Sequence, residues 1–385
     1  MTQKVRTEID ISALRHNYRV LSSYVKGRTL PVCVIKADAY GHGADFCASA
    51  LLAEGCRMFA VSGIEEAMAV RRACGDRYPD TKILILGYTP PREVPNLIRY
   101  RIIQACFSEE YAGELSTRAV GECGGKLHVH LKFDTGMNRI GFAAHSQKDM
   151  EITTEQVKRV AALPGLSVDG AFSHFARADD DTAEGDALTV RQAERFLTVT
   201  EKVIAAGVPL PMRHICNSAA AVRFPEYHLD GCRLGILIYG IMPSGAVDIP
   251  LKPVLKLKTL VSQVHILHSG ESVGYGGTFT ADREMTLATL PIGYADGFIR
   301  AYSGAKGLIK SPDGKVKGTG TVVGRICMDQ CMMDVSGLDV RAGDEVTLIG
   351  EVGQLDELAR LAGTINYECL CLISARVPRI AVNAD

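Results

Sequence analysis

Three things are scarce in this chain, and each absence removes a class of function. An excess of one charge is missing: 43 Lys and Arg stand against 44 Asp and Glu, a formal net charge of -1. That balance gives no electrostatic reason to expect nucleic acid or an anionic membrane as partner. Long apolar runs are missing too, since no stretch approaches the roughly 18 unbroken apolar residues of a membrane span. The amino terminus, residues 1–8, has no apolar segment of the secretory kind, so a soluble, cytoplasmic protein acting on small molecules is expected. Twelve cysteines are present, yet none forms a Cys-x-x-Cys pair, and Cys33, Cys106 and Cys216 stand inside apolar runs. They read as reduced core residues with no disulfide framework. The closest clusters, Cys327 with Cys331 and Cys369 with Cys371, lack companion ligands at zinc-finger spacing, so no metal is expected. Internal repeats and low-complexity segments are absent as well.

What the chain does have is length and order. At 385 residues it exceeds one ordinary domain, although an α/β barrel alone takes about 200 to 250 residues. Two domains are expected, and 47% apolar residues suffice for a sizeable core. Between residues 30 and 240 short apolar runs alternate with amphipathic segments. Strands are expected near 32–36, 58–61, 83–86, 103–107, 127–133, 167–173, 212–216 and 231–234, with helical patterns such as 44–53, 64–74 and 187–206 between them. Strict alternation of this length argues for a parallel sheet covered by helices, and eight units suggest a (β/α)8 TIM barrel. After Tyr239-Gly240 the texture turns to β-rich stretches (254–267, 285–291, 316–335, 345–349) punctuated by Gly, Pro and Asp, with one helix expected at 355–361. The expected architecture is α/β: a TIM barrel in residues 1–240 followed by a mostly β domain in 241–385.

The chemistry centres on Val32-Cys33-Val34-Ile35-Lys36-Ala37-Asp38-Ala39-Tyr40-Gly41-His42-Gly43, an apolar run that ends in one lysine and breaks into a glycine-punctuated turn. A lysine closing an apolar strand must pair, snorkel out or lower its pKa, and the last option makes it a nucleophile toward carbonyls. An exposed strand-end lysine is the plainer reading of such a residue taken alone. A barrel draws its site from the carboxyl ends of different strands. Lys36 ends the first strand, Lys132 and Arg139 end or follow the fifth, His174 follows the sixth, Asn217-Ser218 the seventh and Arg233 the eighth.

Residues Val34 to Gly43 resemble the pyridoxal phosphate attachment segment of the alanine racemase family, the fold type III pyridoxal phosphate enzymes, and further matching segments run in the same order almost to the chain's end. In that family the equivalent of Lys36 carries pyridoxal 5'-phosphate as an internal aldimine, and the equivalent of Tyr40 reaches the cofactor phosphate. The implied activity is the interconversion of L- and D-alanine, supplying D-alanine for peptidoglycan. Racemisation removes the Cα proton from one face and returns one on the other, so it needs an electron sink and two acid/base groups. Lys36 is one base. The other, by the resemblance of Val273-Gly274-Tyr275-Gly276-Gly277, is Tyr275; a phenol, with an ordinary pKa of about 10, must be tuned downward to act near neutrality. His174, in Phe172-Ser173-His174-Phe175-Ala176, by resemblance touches that tyrosine and links it to Arg233. Arg233, in Gly231-Cys232-Arg233-Leu234-Gly235-Ile236, is similar to the arginine facing the pyridine nitrogen. A guanidinium only donates, so it holds that nitrogen unprotonated and disfavours transamination. Phosphate is expected after strands seven and eight, where N–H groups at helix starts favour anions, making Asn217, Ser218, Gly235, Ile236 and Tyr40 candidates. Asn217-Ser218 before an alanine run is also an ordinary helix cap.

The segment Leu131 to Gly141 is the second strongest match. Arg139 corresponds to the arginine that orients the substrate carboxylate, and Lys132 to a lysine often carbamylated to an anion that holds this arginine. Asn138 stands where the family frequently has glycine. In Gly324 to Gln330, Met328 corresponds to a residue near the substrate carboxylate in the partner's site, with Asp329 in support, and Tyr294 to one lining the substrate access path. One position departs: Ala375 stands where many relatives have a tyrosine packed on the substrate, which predicts a site open to serine or other slightly larger amino acids. The resemblance further implies a head-to-tail homodimer whose two bases meet across the interface, with the first ten or so residues pairing with the second domain. Two other readings compete. His128, His130 and Lys132 alternate as in metal-dependent amidohydrolases, although those place His-x-His on the first strand; and a non-catalytic barrel can carry the same cofactor without a second domain.

Overall fold

The computed structural model describes residues 3–25, 27–245, 247–350 and 354–384. The chain divides into two compact units, one of residues 14–39 and 44–251, the other of 1–13, 40–43 and 252–385.

Among the described residues of the first unit, eight strands run Leu30–Val34, Met58–Val61, Lys82–Ile85, Ile103–Cys106, Leu127–Asp134, Leu166–Phe172, Arg213–His214 and Gly231–Leu234. Each lies parallel beside the next in chain order, and the eighth pairs with the first. Backbone bonds from Asp230 to Arg213 and from Arg233 to Cys216, both 3.0 Å, bring the eighth strand to the seventh, so the sheet returns on itself as a barrel. Every residue of Met58–Val61 and of Ile103–Cys106 is buried, as strands covered on both faces must be. Helices Ala44–Ala53, Ile64–Cys74, Glu109–Cys123, Gln147–Ala161 and Ala183–Ala205 are among the connections. The last starts ahead of the expected residue 187 because Thr182 caps it, its side chain accepting from the Gly185 N–H.

In the second unit the described residues form a nine-stranded sheet in the order Gln263–Leu267, Met285–Leu290, Cys331–Asp334, Val316–Val323, Lys306–Lys310, Glu345–Ile349, Leu255–Leu260, Val5–Asp10, Arg379–Val382. Val5–Asp10 alternates strictly, with Val5, Thr7 and Ile9 buried, which is the period-2 pattern of a strand with one covered face. Its outer face carries an ion-pair network in which Lys258 Nζ lies 2.9 Å from both Glu8 and Glu345, and Arg6 pairs with the same two carboxylates. Besides the expected helix, Gln354–Ala362, there is a second, Asn366–Cys371. Six residues span under two turns, too few for an apolar period to declare itself in sequence. No helix among the described residues is long and apolar enough to cross a membrane, and all twelve cysteines are free thiols.

Candidate active site

The first barrel strand ends at Val34, two residues earlier than expected. Ile35 still bonds the neighbouring strand through the Ala60 carbonyl at 3.0 Å, and Lys36 then opens a turn of the opposite hand. Ala37, Asp38, Ala39 and Tyr40 have φ of 52°, 51°, 56° and 53°, and left-handed backbone disfavours each L-residue by roughly 1–2 kcal/mol. Such strain persists only where the surroundings over-determine it, and it concentrates at functional sites. Here the Ala37 N–H donates to Glu66 Oε1 at 2.6 Å, Ala39 N–H to the Ile35 carbonyl at 3.0 Å, and Asp38 Oδ1 accepts from Ala44 N–H at 2.8 Å.

The His174 imidazole, bonded to Arg233 Nη2 at 2.9 Å, has its pKa pushed down first by burial, then by the charges of Arg233, Lys132, Arg139 and Lys36. Buried Lys132 is lowered to about 7, again by burial first and then by the Arg233 charge, against the opposing pull of Asp134; its Nζ donates to the Phe133 carbonyl at 2.8 Å. Buried Arg233 is itself lowered to about 10, mainly by burial. Asp134 does not neutralise the group by direct pairing. Its carboxylate accepts from the backbone N–H groups of Gly136, Met137, Asn138 and Arg139 at 3.0, 3.0, 3.1 and 3.1 Å. That fan of bonds shapes the loop presenting Arg139. Asn138 sits there at φ 57°, and asparagine takes left-handed backbone more readily than other side-chain-bearing residues.

Arg233 is fixed by its two terminal nitrogens. Nη1 donates to His214 Nδ1 at 2.9 Å and to the His214 carbonyl at 3.2 Å; Nη2 donates to the Ser173 carbonyl at 2.7 Å, the Ile215 carbonyl at 2.9 Å and His174 Nδ1 at 2.9 Å. Because a guanidinium has no acceptor, both histidine Nδ1 atoms must be unprotonated. The two turns expected to hold phosphate are joined: Ser218 Oγ accepts from the Gly235 N–H at 2.7 Å, and Asn217 caps the helix Ser218–Arg223 by accepting from Ala220 N–H at 3.0 Å. Ile236 follows, buried, at the start of a 3-10 turn. A lysine directly after the first strand, a buried arginine on the eighth, and the hydroxyl and amide groups of the turns after strands seven and eight fit an aldehyde cofactor bearing a phosphate.

The second unit carries the other candidates. Tyr275 lies on a hairpin between Ser272–Val273 and Phe279–Thr280 and is 71% exposed. It borders a cavity of about 600 Å³ whose walls include His265, Leu267, Cys327 and Met332. The Cys327 carbonyl accepts from Tyr294 N–H and the Met328 carbonyl from Ala295 N–H, both at 3.0 Å, so exposed Tyr294 and Met328 belong to the same neighbourhood. Arg376 joins it, reaching Asp296 at 3.0 Å and Asp329 at 2.7 Å, and the exposed Ala375 stands next to it. Tyr40 is buried, its ring 6.2 Å from that of Tyr367, and burial pushes its phenol pKa up.

The candidates thus fall into two sets. Lys36, Lys132, Arg139, His174, Asn217, Ser218, Arg233, Gly235 and Ile236 belong to the barrel unit, while Tyr40, Tyr275, Tyr294, Met328, Asp329 and Ala375 belong to the other. Sequence reasoning overlooked two participants and misassigned a third. His214 is the one histidine of an otherwise largely apolar strand-seven run, the signal that could have marked it. Arg376, tying Asp296 to Asp329, had no sequence signal beyond its neighbour Ala375. His130 was noticed only as half of a His-x-His pair. The structure separates that pair: His128 is exposed and bonds Asp169 at 2.9 Å, whereas His130 is buried and meets His214 at 3.0 Å. No cluster of three or more metal-binding side chains occurs among the described residues.

Comparison with known proteins gives one answer along the whole chain. The family model "Alanine racemase, N-terminal domain" matches residues 9–243 and "Alanine racemase, C-terminal domain" residues 254–381. Alanine racemase of Desulfovibrio desulfuricans is 42% identical over 98% of this chain and 98% of its own, and that of Clostridium tetani 39% identical over 98% and 95%. The solved alanine racemase of Clostridium difficile 630 superposes with a TM-score of 0.90 at 36% identity, covering 100% of this chain and 97% of its own. The Bacillus anthracis alanine racemase with bound L-Ala-P reaches 0.88 at 30% identity, with the same coverage of 100% and 97%. With the barrel and the second domain both matched by family models and by full-length relatives, this chain belongs to the alanine racemase family.

Proposed function

We infer that this protein is a pyridoxal 5'-phosphate-dependent alanine racemase that interconverts L- and D-alanine by a two-base mechanism. The observation that carries this reading is the full-length family match, with Lys36 directly after the first barrel strand and Arg233 of the eighth strand bonded to His214 and His174. When bound, the cofactor supplies the electron sink that makes the Cα proton removable. The chain's own groups do the rest. Lys36 anchors the cofactor and afterwards moves a proton at one face of Cα; Tyr275 moves one at the other face. Arg139 holds the substrate carboxylate. Arg233, with both terminal nitrogens occupied by His214, His174 and backbone carbonyls, would face the ring of the bound cofactor and, as a donor only, would keep its nitrogen unprotonated. Asn217, Ser218, Gly235, Ile236 and Tyr40 receive the phosphate. Chiral analysis of the product from pure L-alanine tests the reading: conversion to an equimolar mixture with D-alanine supports it, and unchanged L-alanine in the presence of cofactor refutes it.

The two bases belong to different subunits in this proposal. Residues 1–240 act as the cofactor domain and 241–385 as the domain that supplies Tyr275, Tyr294 and Met328 to a partner, in a cytoplasmic homodimer that provides D-alanine for peptidoglycan. Exposure of Tyr275 at 71% and Met328 at 54% in their own unit supports a role for both on another surface.

Lys132 is proposed to carry a carbamate. Its lowered pKa leaves a neutral amine available near pH 7, able to add to carbon dioxide, and the resulting anion would compensate Arg139 and Arg233. Growth or incubation with 13C-bicarbonate should give a carbamate carbon signal that Lys132→Ala removes; a wild-type spectrum without it would dismiss the modification.

Substrate breadth follows from Ala375. With a methyl in place of a phenol, serine is expected to racemise at a rate within about tenfold of alanine, because small added groups are discriminated only weakly. Ala375→Tyr should lower kcat/KM for serine by about tenfold more than for alanine. Equal losses for the two amino acids would show that this position does not set breadth.

A further inference from the structure

Behind Arg233 lies a pair of buried rings, His214 and His130, of which the chemistry above does not use His130. His214 Nε2 is 3.0 Å from His130 Nδ1, the rings tilted at 58°. Phe172 stacks on His214 with centroids 5.1 Å apart and only 4° between the planes, so the His214 ring is held by its face and at both nitrogens. One end of this string has a fixed polarity. Arg233 can only donate, which makes His214 Nδ1 an acceptor and puts the His214 proton on Nε2. That proton points at His130 Nδ1, which must therefore accept, so His130 carries its own proton on Nε2. Burial, followed for His214 by the Arg233 charge, pushes the pKa of both rings down, His130 to about 4, so each is neutral at neutral pH.

The sequence is arranged to admit the His130 ring. The pairing of the fifth and sixth strands shifts register between Val129 and His130, the extra residue Asp169 lying on the sixth strand, and this sets His130 against Gly170. At Gly170 a Cβ would lie 2.4 Å from the Met212 carbonyl oxygen, 2.9 Å from His130 Cε1 and 3.0 Å from Nε2. Any larger residue there would collide with that carbonyl as well as with the imidazole.

We propose that His130 is a positioning residue of the racemase site: by accepting the Nε2 proton of His214 it fixes the tautomer whose Nδ1 lone pair aims the Arg233 guanidinium. This rests on the assignment of Arg233 to the cofactor ring. Without an acceptor at residue 130, His214 would be left with a buried N–H or would move its proton to Nδ1, where it would confront a donor of Arg233. Asparagine places a carbonyl oxygen close to where histidine has Nδ1, so it preserves the acceptor; leucine does not.

The test uses 15N-histidine-labelled holoenzyme, with the His214 signals assigned by difference against His214→Asn. Wild type and His130→Asn should both show neutral His214 protonated on Nε2. His130→Asn should retain kcat within about threefold of wild type. His130→Leu should lose the Nε2–H signature, shift the visible band of the bound cofactor, and lower kcat about tenfold to a hundredfold with little change in KM. A wild-type His214 protonated on Nδ1 would overturn the proposal whether or not the leucine variant folds, and so would His130→Leu matching His130→Asn in spectrum and kcat. An Arg233→Lys holoenzyme separates the two assignments, since a cofactor band identical to wild type there would fault the placing of Arg233, not the tautomer string.

Discussion

Replacing Lys36 by alanine should lower racemisation by at least about 10⁴-fold, the combined loss of an acid/base group and of the covalent anchor. It should also erase the visible absorbance that wild type acquires with pyridoxal phosphate. Borohydride should fix the cofactor on the wild-type peptide containing Lys36 and leave no labelled peptide in the variant. The size of the effect follows from position. Lys36 stands where the first strand gives way to four consecutive left-handed residues, tied down by Glu66, Ile35 and Asp38, and its charge, with those of Arg233, Lys132 and Arg139, lowers the pKa of His174. The amine of Lys132 is engaged with the Phe133 carbonyl. Residual activity above about a hundredth of wild type in Lys36→Ala would remove the lysine from the role given to it.

Tyr275→Phe should retain the cofactor and its visible band, because the hydroxyl belongs to the unit that does not hold Lys36. It should nevertheless lose about 10²- to 10⁴-fold in kcat, the usual contribution of one positioned acid/base group. The loss should be lopsided. With Lys36 still present, the α-hydrogen of one alanine enantiomer should exchange with solvent deuterium faster than that enantiomer inverts, while exchange from the other enantiomer nearly stops. Equal residual exchange from both enantiomers would mean that a single group serves both faces. The exposure of the Tyr275 ring and the cavity beside it give the phenyl ring of the variant room to stay in place, so the comparison isolates one oxygen atom.

The barrel was legible because its signals are repeated: eight apolar runs with helices between them place strands within about two residues, and the helices at 44–53 and 64–74 match to the residue. Signals that depend on one long-range contact were not legible. Nothing local in Ala37, Asp38, Ala39 and Tyr40 announces left-handed backbone, since none is glycine; the turn is imposed by Glu66, 29 residues away in the chain from Ala37. His130 and His214 are separated by 84 positions, and no spacing rule connects them. His-x-His spacing on the fifth strand suggested a shared face, but His128 is exposed beside Asp169 whereas His130 is buried against His214. The bridge from Arg376 to Asp296 and Asp329 is likewise a product of tertiary folding. Lys132 and Arg139 could be paired from sequence, whereas the lowering of Lys132 to about 7 depends on burial and on Arg233, a residue of another strand.

Chains carrying Lys36→Ala and chains carrying Tyr275→Phe, each inactive alone, test the shared site most directly when unfolded together in equal amounts and refolded with cofactor. If the lysine of one subunit works with the tyrosine of the other, half of the dimers are mixed and each mixed dimer has one intact site, so about a quarter of wild-type activity should return. A refolded mixture no more active than its two parents would place both bases within one chain and contradict the account.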